Sequence, residues 1–548
     1  MTAEDVKPIP PVIVPQKWDY ETDVLVMGGG GSGLAAAMAA RENGTGVLVV
    51  EKANDVGGQS AMAMNGIAFG SRIWQEATKK PWTEDALYEH IRTLPQSVEM
   101  ARRADPRLLK NNLVWAAYLA DKFEDMGISW YTAYTMEDQL YRYPGLVLFT
   151  PVSTDLAKYS YDDPYEFKFG CVTRTVERWC RKQGVNFLLG TTASALVTDD
   201  NGRVIGARAE TEAGKTLHIR ARSVVDSTGG FAYNRGMLER YGNPSINAGC
   251  TTAPATKVGD GIRMCQGVGA VIGDMTGVHG SSGGVTCLKR GTGNKWWGQN
   301  LYDAPIQLSR QPGLQVNRFA VRFANEYQSA QSAYEIYMAQ PDHVIYTIFD
   351  ADLDEAVDTF RSTGCKRLVT GDMAVYFNDG NIPRASEKPL YTPPYAPELT
   401  PTFCDWHDGL RRGIANGMIK VADTIEGLAS ALNINAERLN RTVGEYNAGY
   451  ERGEDNPMFG KKAGSLLPIR KPPFYGIEHG PRVFDTTGGV VVNENGQVIN
   501  DKGDAVPGLY AGSVSLCGMS GRAGAMGVMG GMAFGYAAGR GAAREALT

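Results

Sequence analysis

Residues 23–66 read DVLVMGGGGSGLAAAMAARENGTGVLVVEKANDVGGQSAMAMNG, from Asp23 to Gly66. The apolar run Val24–Met27 predicts a strand that ends in Gly28-x-Gly30-x-x-Gly33. The Ala-rich run Leu34–Glu42 predicts a helix, and Gly46–Val50 a second strand closing on Glu51, 23 residues beyond Gly28. The glycines permit a tight turn and let bare backbone approach a pyrophosphate seated on the positive helix N-terminus. An acid closing the second strand accepts hydrogen bonds from a ribose diol. A glycine-rich turn alone is common. Strand, helix, strand and acid in register point to a bound adenine dinucleotide.

The flanking sequence decides which dinucleotide. Asp55-Val-Gly-Gly-Gln-Ser60 places more glycine-rich chain beside the first turn, where it can touch a larger cofactor. Near the C-terminus, Pro507-Gly-Leu-Tyr-Ala-Gly512 precedes Gly521-Arg-Ala-Gly-Ala-Met-Gly-Val-Met-Gly-Gly531 and an apolar helix. This head-and-tail arrangement resembles flavoproteins, whose last segment returns over the isoalloxazine. The expected cofactor is FAD.

At 548 residues, 43% hydrophobic and 21% charged, the chain has the size for two or three domains and the composition of a globular protein. A net charge of −5 without a basic run argues against nucleic-acid binding. The first twenty residues hold no signal-like apolar segment, and no stretch approaches the roughly 20 apolar residues of a membrane span, so the expected location is the cytoplasm. The eight cysteines are scattered, with no CxxC or CxxCH, which removes the obvious zinc, iron–sulfur and attached-haem spacings.

Apolar spacing of 3–4 predicts helices over Thr83–Glu99, Pro106–Met126 and Val172–Gln183. Strands are expected at Val185–Leu189, Ala193–Thr198, Val204–Ala209 and Leu217–Val225, the last running into Asp226-Ser-Thr-Gly-Gly230. Asp260 stands where a carboxylate can cap a helix over Ile262–Gln266 or meet a cofactor hydroxyl. Tyr131–Tyr165 is aromatic and Pro-rich, fit either to roof a flat ligand or to form a solvated loop. From Asp274 to Gly480 the βαβ signals stop, with a helical pair near Asp423–Leu432 and Ala436–Glu451. The fold class is therefore α/β: a Rossmann-like FAD-binding domain on a parallel sheet, interrupted by an inserted α+β capping domain. The expected boundaries are a tail over 1–17, FAD-binding segments over 18–273 and 485–548, and a cap over 274–484.

DVLVMGGGGSGLAAA, VVEKANDVGGQS, STGGFAYN, KVGDGIRM, VRFANE, DTTGGVVVN and PGLYAG…AFGYAAGR together resemble the fumarate reductase and succinate dehydrogenase flavoproteins and the 3-ketosteroid dehydrogenases. The resemblance covers nearly the whole chain. It implies a hydride moved between flavin N5 and a carbon beside a carbonyl or carboxylate, with a side chain handling the proton next door. It also implies cofactor contacts at Gly28, Gly30, Gly31, Ser32, Gly33, Glu51, Lys52, Ala53, Gly57, Gly58, Gln59, Ser60, Asn65, Gly66, Ala195, Thr228, Gly229, Gly230, Asn234, Asp260, Ser513, Gly527 and Val528.

The departures narrow the chemistry. Ser60 stands where membrane-bound members attach FAD to a histidine, so non-covalent FAD is expected. Ser513 replaces a cofactor-contacting Glu. Asp485 replaces the histidine that fumarate reductases direct at a substrate carboxylate, and a bare carboxylate would repel one. Ala330 fills the proton-handling position, an arginine in fumarate reductases and a tyrosine in ketosteroid dehydrogenases. Arg522 aligns with the substrate-gripping arginine and suits a carbonyl or enolate. His279 lies near a second substrate histidine, and Tyr327 and Tyr334 are the phenols nearest Ala330.

The expected catalytic set is thus Arg522, Tyr327, Tyr334 and His279, in an oxidoreductase acting on a C=C or CH–CH bond. A cyclic ketone or enone is the expected substrate, steroid-like ketones included. A separate electron donor or acceptor is implied. Two alternatives stay open: an FAD enzyme oxidising an alcohol or amine, and a non-catalytic FAD-binding redox sensor.

Overall fold

The computed structural model describes residues 6–61, 63, 66, 69–78, 83, 85–86, 88–89, 105–135, 147–153, 169–247, 250–251, 253–285, 313–326, 330–352, 406–415, 417–461, 466–513, 516–517 and 527–548. The strands in chain order begin with β1 (Tyr20–Met27), β2 (Val47–Val50), β3 (Ile128–Thr135), β4 (Val147–Ser153), β5 (Asn186–Leu188), β6 (Thr191–Thr198), β7 (Val204–Thr211), β8 (Thr216–Asp226) and β9 (Cys250–Thr251). They continue with β10 (Ile272–Gly273), β11 (Val278–Val285), β12 (Leu314–Asn317), β13 (Ile345–Phe349), β14 (Ile419–Ala422), β15 (Phe474–Thr486), β16 (Gly489–Val490), β17 (Gln497–Ile499) and β18 (Ala505–Ala511).

An 8-stranded sheet runs β17-β18-β8-β1-β2-β5, with β7 and then β6 added along the first half of β8. Its centre is parallel, as β1 pairs with β2 and β8, and β8 with β18. The apolar run of β2 is buried at every position because a parallel sheet is covered on both faces. Met27 lies opposite both Val50 and Asp226, and Ala511 opposite Asp226. Gly28, Glu51, Ser227 and Gly512 therefore leave the sheet together at its carboxyl edge, where open α/β sheets bind ligands.

The first helix (Gly31–Glu42) carries small residues because it meets the C-terminal helix (Val528–Leu547) almost backbone to backbone. A Cβ on Gly535 would sit 2.0 Å from the Ser32 carbonyl oxygen, and one on Gly539 2.2 Å from that of Ala36. The helices expected from spacing occur at Pro106–Asp125, where Asp105 caps and Pro106 takes the first turn, and at Phe169–Lys182. Most of Thr83–Glu99 lies outside the described residues. In the aromatic segment, β3 and β4 pair antiparallel, and residues 136–146 and 154–168 lie outside the described residues. The N-terminal tail runs along the sheet, with the Ile9 amide on the Arg263 carbonyl at 2.9 Å and that of Val12 on Leu196 at 2.8 Å.

A second sheet of six strands runs β11-β15-β13-β12, with β14 and β9 also on β15. Helices Ile425–Leu432 and Ala436–Arg452 begin at the side-chain caps Thr424 and Asn435. Their apolar faces bury Leu428, Leu432, Leu439 and Val443 with Val316, Ile348 and Phe474, a separate core from that of the first sheet. The 13-residue β15 then leads through Asp485 and Thr486 back to the first sheet.

Candidate active site

The turn after β1 assigns a different job to each glycine. Gly28 has φ +101°, and a Cβ there would lie 2.5 Å from the Ser227 carbonyl oxygen. A Cβ on Gly33 would lie 1.8 Å from the Gly28 oxygen, so these two positions are fixed by the protein's own backbone. Gly30 is different: nothing lies within 4 Å of its Cβ position, and its φ of −68° suits any residue. The open space over Gly30, at the N-terminus of the first helix, is the cradle that a pyrophosphate requires. The residues present fit the adenine dinucleotide expected from the sequence.

Glu51 shapes the neighbouring wall. Its carboxylate accepts the Gly29 amide at 2.6 Å and the Ala53 amide at 2.7 Å. Burial raises its pKa while these amides pull it down. Each oxygen retains a lone pair for a ribose hydroxyl. Lys52 bonds Asp260 at 3.0 Å. Asp260 opens the helix Asp260–Gly267 behind the N-cap Gly259, its carboxylate turned to Lys52 rather than to the cap.

The Gly57–Ser60 turn is tied down from three sides. The Gly57 amide reaches the Gly29 carbonyl at 2.8 Å. Arg174 holds Asp55 at 2.6 Å, and Asp55 accepts the Val56 amide at 2.8 Å. Gln59 Nε2 donates to the Phe484 carbonyl at 2.6 Å, linking this turn to β15. Ser60 stands against Gly31, and a Cβ on Gly66 would meet the Phe169 ring at 2.7 Å. Gly58 lies beside Gly30, and Gly527 and Val528 open the C-terminal helix.

The strand end Asp226–Gly230 completes the edge. Asp226 accepts the Thr228 amide at 3.0 Å, and burial raises its pKa. The Asp226 carbonyl takes the Gly512 amide at 2.9 Å, placing Ser513 next to it. Asn234 caps the helix Arg235–Arg240 through Met237 at 3.0 Å and donates to Val258 at 2.9 Å. Ala195 is buried on β6. Asn65, Tyr327 and Arg522 lie outside the described residues.

Asp485 corrects one expectation. It is not a bare carboxylate: Lys257 pairs with it, and both side chains are buried. Repulsion therefore cannot be what disfavours a carboxylate substrate here. Neutralised by Lys257, Asp485 itself neither repels nor attracts one. Burial lifts the Asp485 pKa, Lys257 opposes the rise, and the Thr486 amide helps at 2.9 Å. The Lys257 stem lies along Gly229, where a Cβ would meet Cε at 2.9 Å. The pair thus bridges the carboxyl edge of the first sheet and the end of β15.

His279 faces Asp485 in the β11–β15 register, its ring 5.1 Å from that of Phe484. The Tyr334 ring presses onto the next residue, since a Cβ on Gly280 would lie 2.3 Å from it. Tyr334 sits on the helix Ala330–Met338, 4% exposed, in a small cluster with Ala232, Ala253 and Val483. Its buried hydroxyl has no hydrogen-bond partner among the described residues, and burial pushes its pKa well above the usual tyrosine value. The structure therefore sets His279 opposite Asp485 and the Tyr334 ring on the neighbouring Gly280, and ties this end of β15 through Lys257 and Gln59 to the glycine edge.

Sequence reasoning missed Lys257, although KVGDGIRM was singled out, because its partner lies 228 positions away. It also missed Arg482, buried with its guanidinium 4.7 Å from the Phe484 ring. The Arg322-Phe-Ala-Asn-Glu326 motif proves to be an anchor. Arg322 bonds Glu326 at 2.8 Å and Asp455 at 2.6 Å, and Lys461 lies 3.4 Å from Glu326. This paired network fixes the chain just ahead of the helix that carries Tyr334. Among the described residues, no His, Cys, Asp and Glu group forms a metal site and no helix is long and apolar enough to cross a membrane.

A family profile described as an FAD binding domain matches residues 23–528. NADH:fumarate oxidoreductase of Klebsiella pneumoniae (strain 342) is 25% identical over 526 residues, which cover 96% of this chain and 48% of that protein. The chain thus spans about half the length of that relative. Vinyl phenol reductase of Lactiplantibacillus plantarum is 24% identical over 503 residues, covering 91% of this chain and 90% of that one. A solved 3-ketosteroid-Δ4-(5α)-dehydrogenase from Rhodococcus jostii RHA1 aligns with a TM-score of 0.67 at 22% identity, over 98% of this chain and 100% of that one. The last likeness is one of fold.

Proposed function

The chain belongs to the FAD-binding-domain family, and from that premise we propose that it is an oxidoreductase acting on a carbon–carbon bond next to a carbonyl group. The substrate class proposed is an uncharged cyclic ketone or enone. FAD, held non-covalently, supplies or takes up the hydride. Gly28–Gly33, Glu51, Gly57–Ser60 and Thr228–Gly230 are the residues proposed to hold it. The open cradle at Gly30 and the fixed Glu51 carboxylate support that assignment.

The observation that carries the reading is the Tyr334 hydroxyl, buried and without a partner among the described residues. An unsatisfied buried donor costs about 1–3 kcal/mol. A substrate oxygen or carbanionic carbon placed beside it recovers that cost only when bound. Its raised pKa keeps the phenol protonated across the neutral range, as a proton donor requires. Reduction adds a hydride at the β-carbon and a proton at the α-carbon. Tyr334 is the proposed proton source, refilled from solvent, while Arg522 is proposed to hold the carbonyl and His279 to orient the ring.

The neutral substrate class is supported by the Lys257–Asp485 pair, which commits the Lys257 ammonium to Asp485. A relative named for an uncharged substrate, a vinyl phenol reductase, is in keeping with this proposal. The test is turnover of the FAD-loaded chain in D2O with a reduced viologen as donor. The saturated ketone is expected, with one deuterium at the α-carbon from the proton donor and one at the β-carbon through flavin N5 equilibrated with solvent. Absence of turnover with every enone and of desaturation of every cyclic ketone would overturn the assignment.

A further inference from the structure

A groove of about 440 Å3 lies between the helix Pro106–Asp125 and the last turns of the C-terminal helix, closed by the turn at Glu494 and Asn495. Its volume falls in the range of small-molecule sites. Arg107, Lys110, Arg540 and Arg544 line it against a single carboxylate, Glu494. In a chain of net charge −5 such a cationic recess is local and specific.

Two of the cations are already engaged. Arg107 bonds Asp105 at 2.7 Å and Lys110 bonds Asp85 at 2.6 Å. Arg540 and Arg544, one helical turn apart, have no hydrogen-bond or ion-pair partner among the described residues. The Arg540 guanidinium lies 4.5 Å from the Trp115 ring centroid. That contact fixes the guanidinium and leaves its in-plane N–H donors free. Trp115 is itself braced by Tyr536 at 5.0 Å and by Tyr118 at 5.8 Å. Asn111 Nδ2 donates to the Glu494 carbonyl at 2.6 Å and holds the far rim in place.

We propose that this groove binds the diphosphate group of a small anion, with Arg540 and Arg544 as the clamp. Paired guanidiniums present planar forks that match phosphate oxygens bidentately. A singly charged ligand would be offset by Glu494, whereas a diphosphate outweighs it. The clamp lies 12–16 residues beyond Val528, about 20 Å along the helix at 1.5 Å per residue. The site is therefore separate from the dinucleotide cradle, and its ligand is additional to FAD. The shared chemistry is a diphosphate, either free or carried by a nucleotide.

Calorimetric titration of the FAD-loaded chain with sodium pyrophosphate, and separately with ADP, tests the proposal. Saturable one-to-one binding that weakens as salt rises is expected. Equal affinities would identify free diphosphate as the source, and tighter ADP binding a nucleotide. Arg544→Gln should weaken either ligand about tenfold, and Arg540→Gln with Arg544→Gln about a hundredfold. The flavin spectrum and thermal midpoint should stay unchanged, which separates loss of the site from loss of the fold. Absence of saturable binding, or binding that survives in the folded double variant, would overturn the proposal.

Discussion

Lys257→Met would strand the Asp485 carboxylate where it is 5% exposed, with the Thr486 amide still donating to it at 2.9 Å. Breaking a buried pair from one side costs about 3–5 kcal/mol, because an uncompensated charge stays in a low-dielectric site. Asp485→Leu, which strands the Lys257 ammonium, should cost a similar amount. The double variant Lys257→Met, Asp485→Leu removes both charges and refills the volume. It should return to within about 1 kcal/mol of the parent or exceed it.

The direction of the Asp485 pKa agrees. Burial holds it above the usual carboxylate value even with Lys257 present, so the ionised form is disfavoured in the folded state. A group raised on folding contributes its full stability below its unfolded pKa and loses it as pH rises through the folded value. The Lys257→Met variant should therefore regain stability as pH is lowered from 7.5 toward 5, at up to about 1.4 kcal/mol per unit. Denaturant unfolding followed by flavin release, run as a double-mutant cycle, reads these values. Single losses below about 1 kcal/mol that simply add in the double variant would refute the buried pair.

Three further outcomes follow from the same geometry. Gly30→Ala should leave apoprotein stability unchanged, since its Cβ meets nothing within 4 Å, yet weaken FAD binding in a fluorescence titration. Gly33→Ala should damage both, because its Cβ would lie 1.8 Å from the Gly28 oxygen, and equal effects of the two would count against the cradle. Tyr334→Phe removes a buried hydroxyl that has no partner among the described residues, so the thermal midpoint should hold or rise while turnover falls about 10²–10⁴-fold; unchanged turnover would remove Tyr334 as the proton source. Burial depresses His479 to about 3, so the parent should lose about 1.4 kcal/mol per pH unit below its unfolded value near 6.5, and His479→Gln should flatten that slope in urea titrations.

The glycine turn, Glu51 and the helix that follows were legible because each is encoded within a few residues of itself. The register confirms why they belong together, since β1, β2, β8 and β18 end in line. β15 was not legible. Ten of its thirteen residues are buried and the three partly exposed ones do not alternate with them, because both faces are covered, so the period of two is lost. The β9 and β14 pairings onto it come from strands 2 and 4 residues long. The site suffered in the same way. Tyr334 could be named from the chain, but its burial depends on Gly280 and Val483, far away in sequence. Lys257 carries no signal of its own in the chain, since its partner Asp485 lies 228 positions away. The RFANE motif was visible, and its purpose was not, because Asp455 and Lys461 complete it from more than 120 residues further on.

The most direct measurement is anaerobic. Reduced, FAD-loaded protein is mixed rapidly with a cyclic enone, a 3-keto-4-ene steroid and fumarate, and the oxidised flavin band is followed. The account predicts that the band returns with at least one uncharged enone and not with fumarate. For an enzyme poised toward desaturation, the oxidised protein should instead bleach on mixing with the saturated ketone. Return of the band with fumarate alone, or no response to any enone or ketone, would contradict it.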